Sequence, residues 1–249
     1  MSIDLAYIQK KNGEFVNETA YSFWYGCQLL GIETKSFDET FGANNYQNDL
    51  VTKDTLVHGH IGPVKKALKY LGIEPKPRVD GAPPPELLPY YGRNVWTSTM
   101  GEIRTHWAED RHVFIKPLNS QKAFTGHVTS GKIGDLIQTA GFGDDFEVLC
   151  SDPVEFIAEY RLFVHHGIII DCRRYRGDYR RIPDIDTTAV ACVKAYKNAP
   201  CAYSLDLGVV IDGRTLVVEV NDAWALGAYG MPSIPYAQMV IDRWEEMVR

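Results

Sequence analysis

The sequence lacks the features that mark membrane-embedded, exported or nucleic-acid-coating proteins. No stretch approaches the roughly 18 consecutive apolar residues that a membrane-spanning helix needs. The N-terminal segment MSIDLAYIQKKNGEF has no basic stretch leading into an apolar run, so no secretory signal is expected. A net charge of −6 disfavours a protein whose main role is to coat nucleic acid or an anionic membrane, because those partners select for excess lysine and arginine.

Cysteine is also scarce. The 249 residues include five cysteines, an odd number without a CxxC pair, which predicts neither a disulfide framework nor a cysteine zinc site. Reduced thiols and a cytoplasmic location are therefore expected. Two catalytic signatures are missing as well. The sequence has no GxxxxGK(S/T) phosphate loop and no GxSxG nucleophile elbow, so it gives no support for a Walker-type site or a covalent serine hydrolase.

The first third of the chain predicts a small α/β layer. Helical patterns cover residues 20–31 and 63–72, and the strand-like TLVHG lies just before the second of them. Residues 74–92 contain six prolines, which cannot continue a helix or donate to a sheet, so we expect an extended connector there. We place a domain boundary in this connector, with an N-terminal domain at 1–89 and a second domain at 90–249.

Beyond the connector the pattern is typical of hairpins. The runs HVFIK, FEVLC, IAEYRLFV and GIIIDC are rich in β-branched and aromatic residues, and the HHG between Val164 and Ile168 predicts a turn. Amphipathic helices are predicted after the candidate caps Ser130 and Thr187, and a last helix is predicted over 233–249. Strands mixed with helices in this way indicate an α+β fold.

One hairpin carries the strongest chemical signal. In AYSLDLGVVIDGRTLVVEVND, the pair Asp212-Gly213 between β-branched runs predicts a two-residue turn. Such a turn fixes the register, because the two strands recede from it together. Ile211 then faces Arg214, and further along the strands Asp206 falls opposite Glu219.

The same register places an amide beside the two acids. Ser204 falls opposite Asn221, on the face that carries Asp206 and Glu219. The opposite face is predicted to form core and comprises Leu205, Leu207, Val209, Leu216, Val218 and Val220. Two facing carboxylates, about 4.5–5.5 Å apart at Cβ, repel unless a positive charge lies between them. Oxygen ligands without cysteine or histidine favour Mg²⁺, although two acids on a solvated sheet face remain the structural alternative.

A lysine on another strand is a candidate phosphate ligand. Lys116 ends HVFIK and precedes a loop that contains Ser120, Thr125 and Gly126. A lysine at a strand end beside small residues is suited to nucleotide phosphates, with loop amides as further donors. A surface lysine on a hairpin is the alternative interpretation.

Other charged residues are less specific. In EYRLFV, Glu159 and Arg161 share a strand face, which also fits a structural ion pair. The run RRYRGDYRR packs five arginines into nine residues, dense enough to bind anions and otherwise typical of a solvated loop. His58 and His60 in VHGH have no further ligand at a recognisable spacing, so we expect a polar loop there.

Taken together, these motifs resemble the ATP-grasp superfamily, in particular a compact bacterial and phage clade. The resemblance covers residues 90–249 and rests on FIKPLNSQKAFTGHV, EYRLFV, YSLDLGVV and VVEVNDAWALGAYG, of which the last is the most specific. It implies an ATP-grasp fold, in which two α+β subdomains grip the nucleotide, preceded by a small Rossmann-like α/β domain. It also implies phosphorylation of a carboxylate to an acyl phosphate, which an amine then displaces.

The resemblance assigns residues to the nucleotide. Lys116 is similar to the nucleotide-binding lysine, and Arg93 stands where the family often has an earlier nucleotide-contacting lysine. A hinge at 148–155 is expected to take adenine through backbone groups, with Glu155 as a ribose ligand. The expected nucleotide contacts are Lys116, Arg93, Ser151, Asp152 and Glu155.

The resemblance also assigns the metal and the substrate contacts. Asp206, Glu219 and Asn221 are similar to the family's magnesium ligands. Arg161 and Arg173 are candidate catalytic residues, for the phosphates or for the substrate carboxylate. A carboxylate that attacks ATP brings two anions together, so these cations would offset the charge that builds in the transition state.

The leading hypothesis is an ATP- and Mg²⁺-dependent carboxylate–amine ligase that forms an amide or peptide-like bond. Its expected partners are small-molecule or peptide carboxylates and amines, and neither a membrane nor nucleic acid. The loop at 119–128 would close over the phosphates and keep water from the acyl phosphate. Two alternatives stay open: a nucleotide-binding module without turnover, and a metal-dependent phosphohydrolase that uses the same acids.

Overall fold

The computed structural model describes residues 3–38, 51–73, 82–107, 111–119 and 123–249. Within these ranges the main strands form three four-stranded sheets. Ser120 and residues 74–81 of the predicted connector lie outside the described residues. No helix in the described part of the chain is both long and apolar enough to cross a membrane.

The N-terminal sheet is a small α/β layer, as predicted. Its elements are β1 Leu5–Lys11, β2 Glu14–Phe15, α1 Glu18–Leu30, β3 Glu33–Phe37, β4 Thr55–His58 and α2 Ile61–Tyr70. Strand β1 pairs in parallel with both β3 and β4, while β2 is antiparallel to it. Gly31 ends α1 in the left-handed conformation, with φ 75°, which a glycine adopts without steric cost.

The second sheet is antiparallel throughout and has the order β5-β8-β6-β7. Its elements are β5 Val95–Thr99, α3 Met100–Trp107, β6 Val113–Pro117, β7 His127–Thr129, α4 Ile133–Thr139 and β8 Glu147–Ser151. A small core of its own holds this sheet together, and Met100, Ile103, Ile115 and Val148 are fully buried in it.

The third sheet has the order β10-β9-β11-β12 and carries most of the predicted site. Its elements are β9 Ala158–His165, β10 Ile168–Gly177, a π-helical turn Ile185–Ala189, α5 Val190–Ala195, β11 Ala202–Val209, β12 Thr215–Asp222 and α6 Ser233–Val248. The predicted HHG turn joins β9 to β10, with positive φ at His166 and Gly167. The mixed α+β architecture predicted from the sequence is confirmed.

Helix α6 packs onto the N-terminal layer although it lies at the far end of the chain. Tyr236 and Trp244 share a core with Phe23 of α1. The two helices approach closely at Gly26, where an added Cβ would lie 2.3 Å from a backbone oxygen of Ser233. The N-terminal layer is therefore tied to the C-terminal part of the chain, and the division at 89/90 stays a prediction.

Two local predictions were wrong. Within the connector, Pro85–Tyr90 forms a 3₁₀ helix instead of an extended segment, because a proline at the first helical position lacks only an N–H that has no partner there, and Leu87 is fully buried. Ser130 does not cap α4. Lys132 occupies that position, and the Asp135 carboxylate accepts from the backbone N–H groups of Ser130 and Lys132.

Candidate active site

The hairpin between β11 and β12 brings the predicted acids together. Asp206 pairs with Glu219 and Ser204 pairs with Asn221, as the sequence predicted. Asp206 is almost completely buried, with 1% of its surface exposed. The facing carboxylates and the neighbouring amide therefore form one polar row on a single face of the sheet.

The turn that was used to derive this register is different from the prediction. Val210 pairs with Arg214, because the Val210 N–H donates to the Arg214 carbonyl at 3.0 Å, so Ile211 does not face Arg214. The loop therefore contains Ile211, Asp212 and Gly213, the last with φ 88°. A β-bulge between Asp206 and Leu207 of β11, on the β12 side at Val218, restores the predicted pairing toward the site.

The bulge also changes which residues are in the core. Val217 is fully buried in the core beneath the sheet, a place that the sequence assigned to Val218. Val218 is only partly buried and lines a cavity together with Glu219. Two adjacent residues of β12 thus face the cavity, because the bulge inserts one residue into the alternation of side chains.

Strand β9 adds an arginine to the polar row. Arg161 pairs directly with Asp206 in the sheet, and its Nε and Nη2 donate to the two carboxylate oxygens at 2.9 and 2.6 Å. The guanidinium carbon lies 4.7 Å from the centre of the Tyr229 ring. This bidentate geometry holds the carboxylate in one orientation.

The burial of this pair determines its electrostatics. Burial raises the pKa of Asp206, and Arg161 opposes that shift, so the carboxylate depends on the arginine to stay charged. Burial by itself would lower the pKa of Arg161, but the charge of Asp206 and its hydrogen bonds raise it instead. Removing either partner would leave an uncompensated buried charge.

Lys116 reaches Glu219 from the second sheet. Its Nζ lies 3.2 Å from Oε2 of Glu219, and Nδ2 of Asn221 donates to Oε1 at 3.0 Å. Burial would raise the pKa of Glu219, but Lys116, Asn221 and Arg161 together lower it below its ordinary value. The contact between Lys116 and Glu219 is the point at which the second and third sheets meet.

A cavity of about 430 Å³ opens beside this contact. Lys116 and Glu219 line it, together with apolar walls formed by Phe114, Leu149, Val154, Phe156 and Val218. Apolar walls around a few convergent polar groups are the usual composition of a small-molecule site.

Arg93 is built into the wall of this first cavity. Its Nη1 donates to the carbonyls of Tyr91 and Val217 at 3.0 and 2.9 Å, and its Nε donates to the Ser151 hydroxyl at 3.4 Å. The guanidinium also lies over the rings of Tyr91 and Phe156. Arg93 thus fixes the ends of the two sheets relative to one another and presents positive charge to the cavity.

The predicted hinge residues fall in different places. Ser151 lines the first cavity, whereas Asp152 does not and instead accepts from the backbone and side-chain N–H groups of Asn94. Glu155 is exposed and is not among the lining residues, while its neighbours Val154 and Phe156 are.

Glu159 takes the inward position instead, and the sequence analysis did not place it in the site. It lines the first cavity with 6% of its surface exposed, and it accepts from the Tyr175 hydroxyl at 2.8 Å and from Arg176 at 2.7 Å. A signal for this role was available, because Glu159 lies two residues before Arg161 and therefore shares its strand face.

A second cavity of about 290 Å³ lies on the other side of Glu219. Arg161, Asn221 and Tyr229 line it, and so do residues at the N-termini of α1 and α2, including Asn17, Thr19, His60 and Ile61. Glu219 lines both cavities. The N-terminal layer therefore supplies one wall of a space that adjoins the first cavity at this carboxylate.

His58 also lines the second cavity, and the prediction of a polar loop at this residue was wrong. It ends β4, is 6% exposed and stacks on Phe23 with ring centres 4.3 Å apart. The Tyr236 hydroxyl donates to the Leu226 carbonyl, so it accepts from Nε2 of His58 at 3.3 Å. Nδ1 of His58 is then an acceptor, and it has no partner within the described ranges.

Arg173 lies outside both cavities. It pairs with Arg161 in the ladder between β9 and β10, but its side chain binds the Asp171 carboxylate at 2.8–2.9 Å and is 37% exposed. The structure thus brings together Lys116, Arg161, Asp206, Glu219 and Asn221 and leaves Arg173 at the margin.

Comparisons with known proteins are consistent with this geometry. The profile of an ATP-grasp domain, the second family of its clade, matches residues 90–239. The chain has no match among curated proteins. D-cycloserine synthetase DcsG has a TM-score of 0.62 at 13% identity, covering 96% of this chain and 99% of that chain.

Two other solved structures are similar over nearly their whole length. D-alanine–D-alanine ligase from Bacillus anthracis complexed with ATP has a TM-score of 0.59 at 15% identity, covering 98% of this chain and 97% of that chain. ATP-grasp ligase PsnB complexed with minimal precursor has a TM-score of 0.58 at 14% identity, covering 97% and 100%. At these identities the likeness shows the fold, and the profile match over more than half of the chain shows the family. The chain belongs to the ATP-grasp family.

Proposed function

We infer that the protein is an ATP-dependent ligase that activates a carboxylate as an acyl phosphate and joins it to an amine. The observation that carries this proposal is the position of Glu219, which lines both cavities. A nucleotide in the first cavity and an acceptor in the second would meet at this residue. Phosphoryl transfer between two bound molecules requires such a meeting point.

The first cavity is suited to the nucleotide. Its apolar walls offer an adenine slot, and backbone groups near Ser151 offer hydrogen bonds to the base. Lys116 lies at the Glu219 end and would bind the phosphates. Glu159, buried and already oriented by Tyr175 and Arg176, is placed to accept from ribose hydroxyls, and we assign it the role that the sequence suggested for Glu155.

The residues around Glu219 fit a magnesium ion. Asp206, Glu219 and Asn221 offer hard oxygen donors side by side on two paired strands, the ligand type that Mg²⁺ selects. When bound, Mg²⁺ would supply positive charge to the phosphate oxygens. Lys116 would then exchange Glu219 for the nucleotide phosphates.

The second cavity is suited to a small anionic substrate that also carries an N–H group. Arg161 contributes positive charge, and the N-terminus of α2 is without a side-chain cap at His60, so its N–H groups and dipole favour an anion. The acceptor Nδ1 of His58 favours an N–H donor. An amino acid or the end of a peptide has both groups.

The proposed chemistry has two balanced steps. A carboxylate oxygen attacks the γ-phosphorus and ADP leaves, and then the amine nitrogen attacks the acyl carbon, loses a proton, and phosphate leaves. Lys116 and Arg161 offset the charge that accumulates as two anions approach. Among the structurally similar proteins, one is named a D-alanine–D-alanine ligase and another was solved with a precursor peptide, so amino acids and peptides are both reasonable acceptors to test.

The test is ADP release with pooled amino acids and peptides as carboxylates and amines. We expect release that requires both pools, and hydroxylamine should replace the amine and trap the acyl phosphate as a hydroxamate. Glu219→Gln should abolish both signals, whereas Glu155→Gln, an exposed change outside the cavity lining, should not. Phosphate release without an acceptor would identify a phosphohydrolase, and nucleotide binding without turnover would identify a binding module. Either result would overturn the proposal.

A further inference from the structure

Three metal-ligating side chains converge at the opposite end of β9 from Glu159. His165 and His166, in the turn between β9 and β10, both direct Nε2 at the same oxygen of Asp242 on α6, at 2.8 and 3.0 Å. Their ligand atoms all lie within 4.8 Å of one another. The ligase chemistry proposed above uses none of these three residues.

The backbone of the turn produces this convergence. His166 has φ 48°, a left-handed conformation that is uncommon outside glycine, and it brings the second ring over the first with centres 4.3 Å apart. Adjacent residues of a regular strand would point to opposite faces. The turn therefore lets two neighbouring histidines present nitrogen atoms to one carboxylate.

We propose that His165, His166 and Asp242 form a binding site for a late first-row divalent cation such as Zn²⁺. Two imidazoles and one carboxylate are a ligand set that suits Zn²⁺ and disfavours Mg²⁺, which prefers oxygen. Ligand atoms around a tetrahedral Zn²⁺ are about 3.3 Å apart, given bond lengths of about 2.0–2.2 Å. The observed separations of 2.8 and 3.0 Å need to widen by only a few tenths of an ångström.

Cation binding requires a shift of protons that both rings can make. Each Nε2 now donates to Asp242, and each ring would move that proton to Nδ1 so that the Nε2 lone pair faces the cation. His166 is 60% exposed at its side chain, so an ion and a coordinating water can enter from solvent. The bound cation would link the β9–β10 turn to α6, the helix that packs on the N-terminal layer.

The experiment is calorimetric titration of Zn²⁺ into tag-free protein, after chelator treatment and with excess Mg²⁺ to occupy oxygen-only sites. We expect one Zn²⁺ per chain and a rise in thermal midpoint on binding. His166→Ala and Asp242→Asn should weaken Zn²⁺ by more than the roughly 10- to 100-fold that loss of an outer-shell partner costs. His112→Ala, an exposed histidine on another element, should match the wild type.

Two results would overturn the proposal. One is a wild-type protein that takes up no Zn²⁺ under these conditions. The other is a Zn²⁺ isotherm that is the same in wild type and in His166→Ala, a variant whose exposed side chain makes misfolding an inadequate explanation. Neither result depends on ADP release, so the site stands or fails independently of the ligase activity.

Discussion

Asp206 and Glu219 lie directly opposite one another on β11 and β12, yet their carboxylates bind different cations. Asp206 is held by two hydrogen bonds from the buried Arg161, whereas Glu219 meets Lys116 at a single distance of 3.2 Å. The weaker contact is also the more exposed one. We therefore expect Arg161 to be a fixed part of the site and Lys116 to be the group that moves when ligands bind.

The first prediction concerns Lys116. Lys116→Ala should lower kcat/KM for ATP by about 100-fold or more, the usual cost of removing a preorganised charge from a transition state. The measurement is ADP release at saturating acceptor, with calorimetry of a non-hydrolysable ATP analogue beside it. Lys194→Ala, an exposed lysine on α5, is the matched control and should behave as the wild type. Unchanged ATP affinity and turnover in Lys116→Ala would exclude the proposed role.

The second prediction concerns the buried pair. Arg161→Met should reduce the free energy of unfolding by about 3–5 kcal/mol, because it leaves the Asp206 charge buried without a partner. Arg161→Met combined with Asp206→Leu should recover much of that loss, since no buried charge remains. Urea denaturation of the single and double variants measures the difference.

A surface pair provides the control for this cycle. Arg180 and Asp178 form a similar two-bond contact, but in solvent. Arg180→Met should leave the urea midpoint unchanged within error, because exposed ion pairs contribute little. A double variant no more stable than Arg161→Met alone would show that the loss comes from packing and not from the orphaned charge.

The hairpin shows how far the sequence determines this site. The facing of Asp206 and Glu219 was predicted from a two-residue turn that the structure does not contain. The actual loop is one residue longer, and the bulge at Val218 compensates for it. Turn sequences favour loop lengths, but a bulge depends on packing against the rest of the sheet, so the sequence predicted the pairing and missed the geometry that produces it.

The missed residues have a similar explanation. Glu159 and His58 carry polar atoms whose surroundings are set by residues distant in sequence: Tyr175 and Arg176 for one, Tyr236 for the other. Local patterns predicted the strands that carry both residues. They could not predict that the N-terminal layer and α6 enclose His58, because that contact joins the two ends of the chain.

The third prediction separates the two cavities. A Cβ on Gly208 would lie 2.1 Å from the ring of Phe156, which lines the first cavity and not the second. Gly208→Ala should therefore push this ring into the nucleotide slot and weaken an ATP analogue about tenfold or more, at a stability cost of about 1–3 kcal/mol. The measurement is calorimetry of the analogue together with urea denaturation.

Relief of the overlap tests the cause. Adding Phe156→Leu to Gly208→Ala should restore part of the affinity, because the smaller side chain makes room for the new methyl group. Gly141→Ala, where an added Cβ meets nothing within 4 Å, is the control and should bind the analogue normally. If Gly208→Ala binds the analogue as tightly as the wild type, the first cavity is not the nucleotide site.

The fourth prediction follows from the burial of His58, which lowers its pKa to about 3 in the folded protein. The unfolded value is about 6.5. The unfolded chain therefore binds a proton that the folded chain does not, so stability is present above pH 6.5 and is lost as pH falls toward 3. The free energy of unfolding should decrease by up to about 1.4 kcal/mol per pH unit across this range on account of His58 alone.

The comparison that isolates this effect is with His58→Phe, which keeps a ring against Phe23 and cannot be protonated. Urea denaturation at pH 6 and pH 4 should show a smaller decrease in stability for His58→Phe than for the wild type. Tyr236→Phe removes the hydrogen bond but retains the imidazole, so its pH dependence should follow the wild type. Equal slopes in wild type and His58→Phe would mean that His58 is protonated in the folded state, and its Nδ1 could then no longer accept an N–H group from a substrate in the second cavity.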